Sequence, residues 1–344
     1  MPCTGAGGLD GQRLGHRPGL DGVRGLAVLL VIAAHVDLPL LIGGGASGVT
    51  LFLVLSGFLI TRLLDDERST FGDISFAAFY KRRALRLFPA LALVIVVWSF
   101  VDAALGEPWL FDAAVVTVYM GNVFRSAGVD IGSLSHTWSL ALEEQFYLAW
   151  PAVLAFRRPR WQHLLVLVVL LWGWRYWLTT WASVPRVEFG PDTRADALVL
   201  GCALALAPIR LSRRWVLPLL LATVPVTLLC ESSPWTTGVP VASVWAAALV
   251  VAAVDGESVL TWRPVAAVGV VAYGLYLWHI PIDWLLERDH GLSLPIRGVL
   301  VIALSVTAAV LSWRLVERPV LALKARFRAI RMAPDPAPVP TASS

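Results

Sequence analysis

Apolar runs at about 25–42, 48–64, 87–105, 109–124, 138–156, 163–181, 194–209, 215–230, 239–254, 264–286 and 296–316 alternate with short polar stretches along the chain. Runs of that length read as membrane helices rather than strands, several of them near the lower limit for a span. Arginines collect at their ends. Arg82, Arg83 and Arg86 form one cluster, Arg157, Arg158 and Arg160 a second, Arg210, Arg213 and Arg214 a third, and Lys324, Arg326, Arg328 and Arg331 a fourth. Positive loops stay on the cytoplasmic side, so these clusters orient the chain. Between the first two clusters the chain must cross an even number of times, yet three apolar runs lie there. The run 109–124, which follows Pro108 and carries Asp112 and Asn122, is the weakest of the three. It is expected to be re-entrant or interfacial and to border the active cavity, since irregular backbone at membrane depth needs protein or water around it.

The expectation is therefore an all-α polytopic membrane protein with about ten transmembrane helices, one re-entrant or interfacial segment and both termini cytoplasmic. A cytoplasmic N-terminal segment covers 1–19, the transmembrane domain 20–320, and a basic then proline-rich, disordered cytoplasmic tail 321–344. Composition agrees. The 344 residues are 57% hydrophobic and only 15% charged, which excludes an ordinary soluble domain. The formal net charge of +4 would suit nucleic acid, but arginines at the ends of apolar runs point to the bilayer as partner instead. Cys3, Cys202 and Cys230 have no metal-ligand spacing, so no metal site is expected.

Against this apolar background the ionisable positions stand out, because charge at membrane depth is expensive and marks function. Arg24 and His35 are separated by ten residues without another charge. On a helix their side chains lie within roughly 20° of one face and about 16 Å apart along the axis. In this topology Glu143 and Glu144 fall at a depth comparable to His35, so Glu143 is expected as the partner of a His35 general base. The spacing Arg83-x-x-Arg86 puts two guanidinium groups on one face, a fork suited to phosphate, although such a cluster also serves topology alone. Arg175 lies in a tryptophan-rich run, Arg194 and Asp196 begin another, and His279 is a second deep histidine in an aromatic stretch. These are candidates for a cavity or for acceptor binding.

Taken in order, the segments resemble the acyltransferase-3 family of membrane-bound O-acyltransferases over about 20–319. The matching pieces are Leu20-Asp21-Gly22-Val23-Arg24-Gly25-Leu26-Ala27 with His35, and the stretch from Gly48 to Thr61. Next come Arg83-x-x-Arg86 ahead of Pro89-Ala90, and Trp138-Ser139-Leu140-Ala141-Leu142-Glu143-Glu144-Gln145-Phe146-Tyr147. Thr193-Arg194-Ala195-Asp196 with Gly201, Tyr276-Leu277-Trp278-His279-Ile280-Pro281, and Glu317-Arg318-Pro319 complete the series. The resemblance implies transfer of an acyl group, usually acetyl, from cytoplasmic acyl-CoA, a co-substrate rather than a resident cofactor. The acceptor would be a hydroxyl of a surface glycan, lipid-linked sugar or glycosylated natural product, and the protein would be a multi-pass protein of the plasma membrane. It assigns Arg24, Arg83 and Arg86 to acyl-CoA and His35 and Glu143 to catalysis, with Ser139 a further cavity candidate. Relative to longer members, no extramembrane hydrolase-like domain follows the last run, so acceptor choice is expected to rest with the bundle and its loops. The rival reading is a proton-coupled transporter or flippase with His35 and Glu143 as a relay, which would move a polar lipid or glycan without consuming acyl-CoA.

Overall fold

The computed structural model describes residues 17–254, 256–288 and 291–322. Most of the N-terminal segment and nearly all of the basic, proline-rich tail expected from the sequence lie outside these residues. The described chain is helical and, among those residues, contains no strand. In chain order the helices are α1 Pro18–His35, α2 Gly44–Phe71, α3 Phe76–Leu105, α4 Leu110–Thr117, α5 Gly121–Ser126, α6 Trp138–Arg157 and α7 Trp161–Leu178. They continue with α8 Val184–Phe189, α9 Pro191–Leu206, α10 Val216–Leu221, α11 Thr223–Ser232, α12 Val239–Val254, α13 Arg263–Glu287 and α14 Leu294–Ser312.

Six helical segments are long and apolar enough to cross a membrane: α1, α2, α3, α12 with the turn before it, α13, and α14 with its extension to Ala322. The number rises to seven if α10 and α11, bent by 45° at a short break, count as one span. This is a multi-pass membrane protein. The ten-span expectation would in addition send α6, α7 and α9 across, which have 20, 18 and 16 residues.

Two stretches differ instructively from the expected runs. The Lys81–Arg86 segment is not a loop before a span but part of α3, which starts at Phe76 and is 30 residues long. Lys, Arg, Ala and Leu are all good helix formers, so a basic stretch need not interrupt a helix. The run 109–124 folds into α4 and α5, of eight and six residues. At 1.5 Å per residue even the longer reaches only about 12 Å, too short to span. A 3-10 turn, Gly132–Thr137, then leads directly into α6. That turn is pinned to α3 by Ser133, whose hydroxyl donates to Asp102 at 3.0 Å. Gly132 has φ +54, and a Cβ there would sit 2.7 Å from Asp112 Oδ2. Burial, reinforced by the nearby Asp102 and Asp130 carboxylates, pushes the Asp112 carboxyl up to about 6.

The core is built around α1, which packs along α2 on one side and α13 on the other, while α2 packs along α9. Small residues set these distances. A Cβ on Gly57 of α2 would lie 2.1 Å from the Leu198 carbonyl oxygen, and one on Gly201 of α9 would lie 2.1 Å from that of Val54. The two backbones touch at both positions, as small-residue helix interfaces in membranes allow. Gly201→Ala is therefore expected to destabilise the bundle by about 3 kcal/mol, because rigid backbone rather than a side chain must move. Thermal unfolding in detergent measures it, and an unchanged midpoint would refute the contact.

Candidate functional site

A cavity of about 750 Å³ opens between α1, α2, α3, α6 and α13. Its α13 wall runs from Gly269 to Tyr276, about 10 Å of helix rise. Gly25 abuts Val265 and Gly269, so its neighbour Arg24 stands level with the Gly269 end. Arg82, Arg83 and Arg86 of α3 line the same cavity. Tyr276 and Ser139 line it as well, and at the Tyr276 end it abuts a group of histidines. The cavity is a cleft with guanidinium groups at one end and imidazoles just beyond the other.

The arginines are not equivalent. Arg24 is paired with Asp21 one turn earlier, and Arg82 donates to Glu67 at 3.0 Å. Arg83 lies 3.3 Å from the centre of the Tyr147 ring, a close cation–π contact. It also faces two carboxylates, Glu144 at 3.5 Å and Glu143 at 4.0 Å. Arg86 makes no hydrogen bond or ion pair with any described residue; the charges acting on it include Arg24, Arg83, Asp21 and Glu317. The fork expected from Arg83-x-x-Arg86 is thus divided: both side chains line the cavity, but Arg83 is engaged by the protein and Arg86 is open. What the arrangement can do is hold a polyanion at the arginine end, with Arg86 as its first free contact.

Glu143 and His35 are not brought together. Glu143 accepts from Ser56 Oγ at 3.0 Å and from the Tyr147 hydroxyl at 3.2 Å. His35 instead stands beside Gly45, where a Cβ would come within 4.0 Å of its ring. Gly45 and Ser56 belong to one helix and are separated by about 16 Å of rise, so the two groups occupy different depths. The two groups are apart because α1 and α6 pack against different parts of α2, which counting residues from the start of an apolar run does not register.

The partners of His35 are other rings. Its Nδ1 lies 2.7 Å from the Val31 carbonyl oxygen. A carbonyl only accepts, so Nδ1 carries the proton and Nε2 is left as the basic nitrogen. The His279 ring meets His35 edge-on at 5.2 Å between centroids, and the His136 ring meets His279 at 5.6 Å. His279 donates from Nδ1 to the Tyr276 carbonyl oxygen at 2.7 Å, and its Nε2 has no partner among the described residues. Tyr276 joins this group to the cavity. Its hydroxyl donates to the His136 carbonyl oxygen at 2.6 Å, so Ser139 Oγ, at 2.7 Å, must donate to it. Its ring also lies 5.4 Å from that of His136. The sequence reading passes over His136 and undervalues His279, since a histidine in the polar stretch before α6 reads as a loop residue.

Arg175, Arg194 and Asp196 form a separate buried group at the start of α9. Arg175 and Asp196 pair at 3.1 Å with both side chains fully buried. Arg175 also donates to the Thr193 and Trp235 carbonyl oxygens, and Asp196 accepts from Trp172 Nε1 at 2.7 Å. Arg194, 2% exposed, makes a single, long hydrogen bond among the described residues, to Thr50 Oγ1 at 3.4 Å.

Residues 17–314 match the family described as the acyltransferase domain. Among curated proteins, the O-acetyltransferase OatA of Staphylococcus aureus is 33% identical over 93% of this chain and 59% of its own length. The peptidoglycan O-acetyltransferase OatA of Listeria monocytogenes is 31% identical over 88% of this chain and 55% of its own length. The chain spans a little over half the length of these relatives. No solved structure matches it.

Proposed function

Because this chain belongs to the acyltransferase-3 family, we propose that it transfers an acetyl group from acyl-CoA to a hydroxyl of a sugar-containing acceptor. One observation carries the reading: the arginine-lined cavity ends at Tyr276, whose ring touches His279 and His136, and His279 in turn touches His35. Anionic head and reactive end of a long thioester substrate thus have separate, connected places. The phosphates of acyl-CoA sit with Arg86 and Arg24, and the pantetheine arm runs along the cleft past Ser139 and Tyr276. His35 Nε2 takes the proton of the acceptor hydroxyl as its oxygen attacks the thioester carbonyl. The carbon–sulfur bond then breaks, and the proton returns from His35 to the departing thiolate. Confinement in the cleft supplies proximity and keeps water from the thioester. Glu143 acts at the arginine end, holding Arg83 rather than His35.

In this reading the chain crosses the membrane ten times, with α4 and α5 lying outside the count and both termini on the side from which acyl-CoA enters. The names of the relatives, peptidoglycan O-acetyltransferase among them, support a glycan acceptor. The test is labelling. Membranes bearing the chain receive radiolabelled acetyl-CoA, and label is expected in a glycan fraction with equimolar release of CoA. Movement of glycan across sealed vesicles without loss of acetyl-CoA would overturn the reading in favour of a transporter.

A further inference from the structure

Arg194 is a buried charge whose hydrogen bonding is incomplete. Its side chain is buried, yet Nε and Nη1 have no hydrogen-bond partner among the described residues. Asp196, two residues along α9, is engaged by Arg175 and Trp172. Glu188 and Asp196 act on Arg194 electrostatically, against the like charge of Arg175, but neither forms an ion pair with it. A guanidinium does not shed its proton, so leaving it buried with unmade hydrogen bonds is costly. The Trp138 and Trp235 rings lie 5.6 and 5.9 Å from its carbon, and both tryptophans are only half buried. They satisfy its faces, not its in-plane donors.

The place of this cation is informative. Thr50, which it touches, is five residues along α2 from Gly45, the neighbour of His35, about 8 Å of rise. Trp138 follows His136 by two residues and precedes Ser139, which is bonded to Tyr276. Arg194 therefore lies within one sugar's length of the imidazole group, reaching α2 from α9, and is not among the residues lining the acyl-CoA cleft. We infer that Arg194 is the acceptor's anchor: it binds a carboxylate borne by the sugar whose hydroxyl is acylated, with Trp138 and Trp235 against the sugar's faces. A guanidinium with two free in-plane donors and no ion pair suits a singly charged carboxylate, and the flanking indoles suit the apolar face of a pyranose. The assignment rests on the transfer reading for its purpose, but its binding test does not require turnover.

Three measurements decide it. Saturation-transfer NMR of the purified protein in nanodiscs, without acyl-CoA, compares N-acetylmuramic acid and glucuronic acid with their methyl esters. The free acids are expected to bind at least tenfold more tightly than the esters, and Arg194→Gln is expected to erase that difference. Equal signals from acids and esters, or no signal from either, would overturn the assignment whether or not the chain is a transferase. With labelled acetyl-CoA added, Arg194→Gln is expected to raise KM for the acid acceptor about tenfold and leave KM for acetyl-CoA unchanged. A uniform fall in kcat for acid and ester alike would place Arg194 on the transferring acyl group instead. Thermal unfolding separates anchor from scaffold. Arg175→Met, which strands Asp196, is expected to lower the Tm by about 5 °C. Arg194→Met is expected to leave the Tm unchanged or raise it, and a matching fall would make Arg194 a structural residue and refute its role.

Discussion

His35→Ala is expected to lower kcat for acetyl transfer by about 10²–10⁴-fold, the usual contribution of a positioned general base. The protein should remain folded and inserted. His35 is the last residue of α1, only partly buried, and its one hydrogen bond is to Val31 of its own helix. KM for acetyl-CoA should be unchanged, since Arg24 lies about 16 Å away along α1 and Arg86 lines the same cavity from α3. His35→Gln is the informative control. An amide can keep the bond to Val31 but offers no basic nitrogen, so it should be as inactive as alanine. Steady-state kinetics on labelled acetyl-CoA, with unfolding midpoints for each variant, checks this; normal turnover in either variant would remove His35 from the chemistry. His279 has the same tautomer and an unpartnered Nε2 directly against His35. Its replacement should act through the position of the His35 ring and leave a larger residual rate.

The second large effect divides the arginine pair. Arg86→Ala is expected to raise KM for acetyl-CoA by about 10–100-fold with little change in kcat, the loss of a charge-assisted contact to phosphate. Arg83→Ala should behave differently. Arg83 is held by Tyr147, Glu143 and Glu144, and its removal leaves two buried carboxylates without their cation. A loss of about 3 kcal/mol in stability is expected, with kcat rather than KM reduced. The ratio of the two KM values, read beside the two unfolding midpoints, is the measurement. Equal KM increases with equal stability would restore the pair as a simple phosphate fork, and no effect from either would leave both as topological charges.

Much of this was readable from one dimension. Hydrophobic runs and arginine clusters are local quantities, and the bilayer converts them into helices and orientation with little help from tertiary contacts. Arg24 and His35 share one helix, so their spacing and face followed from helix geometry alone. Parity marked 109–124 as the weakest run, and in the structure that run is broken into the short helices α4 and α5. The motifs Trp138 to Tyr147 and Tyr276 to Pro281 fall on helices that line the cavity, but they did not reveal the partners of their residues.

What the sequence by itself determined is the apolar, helical, membrane-embedded character of the chain and the identity of its costly polar residues. Which of those residues meet was decided only in three dimensions. The place of Glu143 depends on which part of α2 the helix α6 packs against, and the closeness of α2 and α9 depends on glycines whose contacts are 141 and 147 positions away in sequence. His136 gains its place only because Ser133 bonds Asp102 and Tyr276 reaches its carbonyl. Local propensity acts over a few residues, whereas an ion pair or a ring contact is a distance between helices. That distance is set by packing, which no single run encodes.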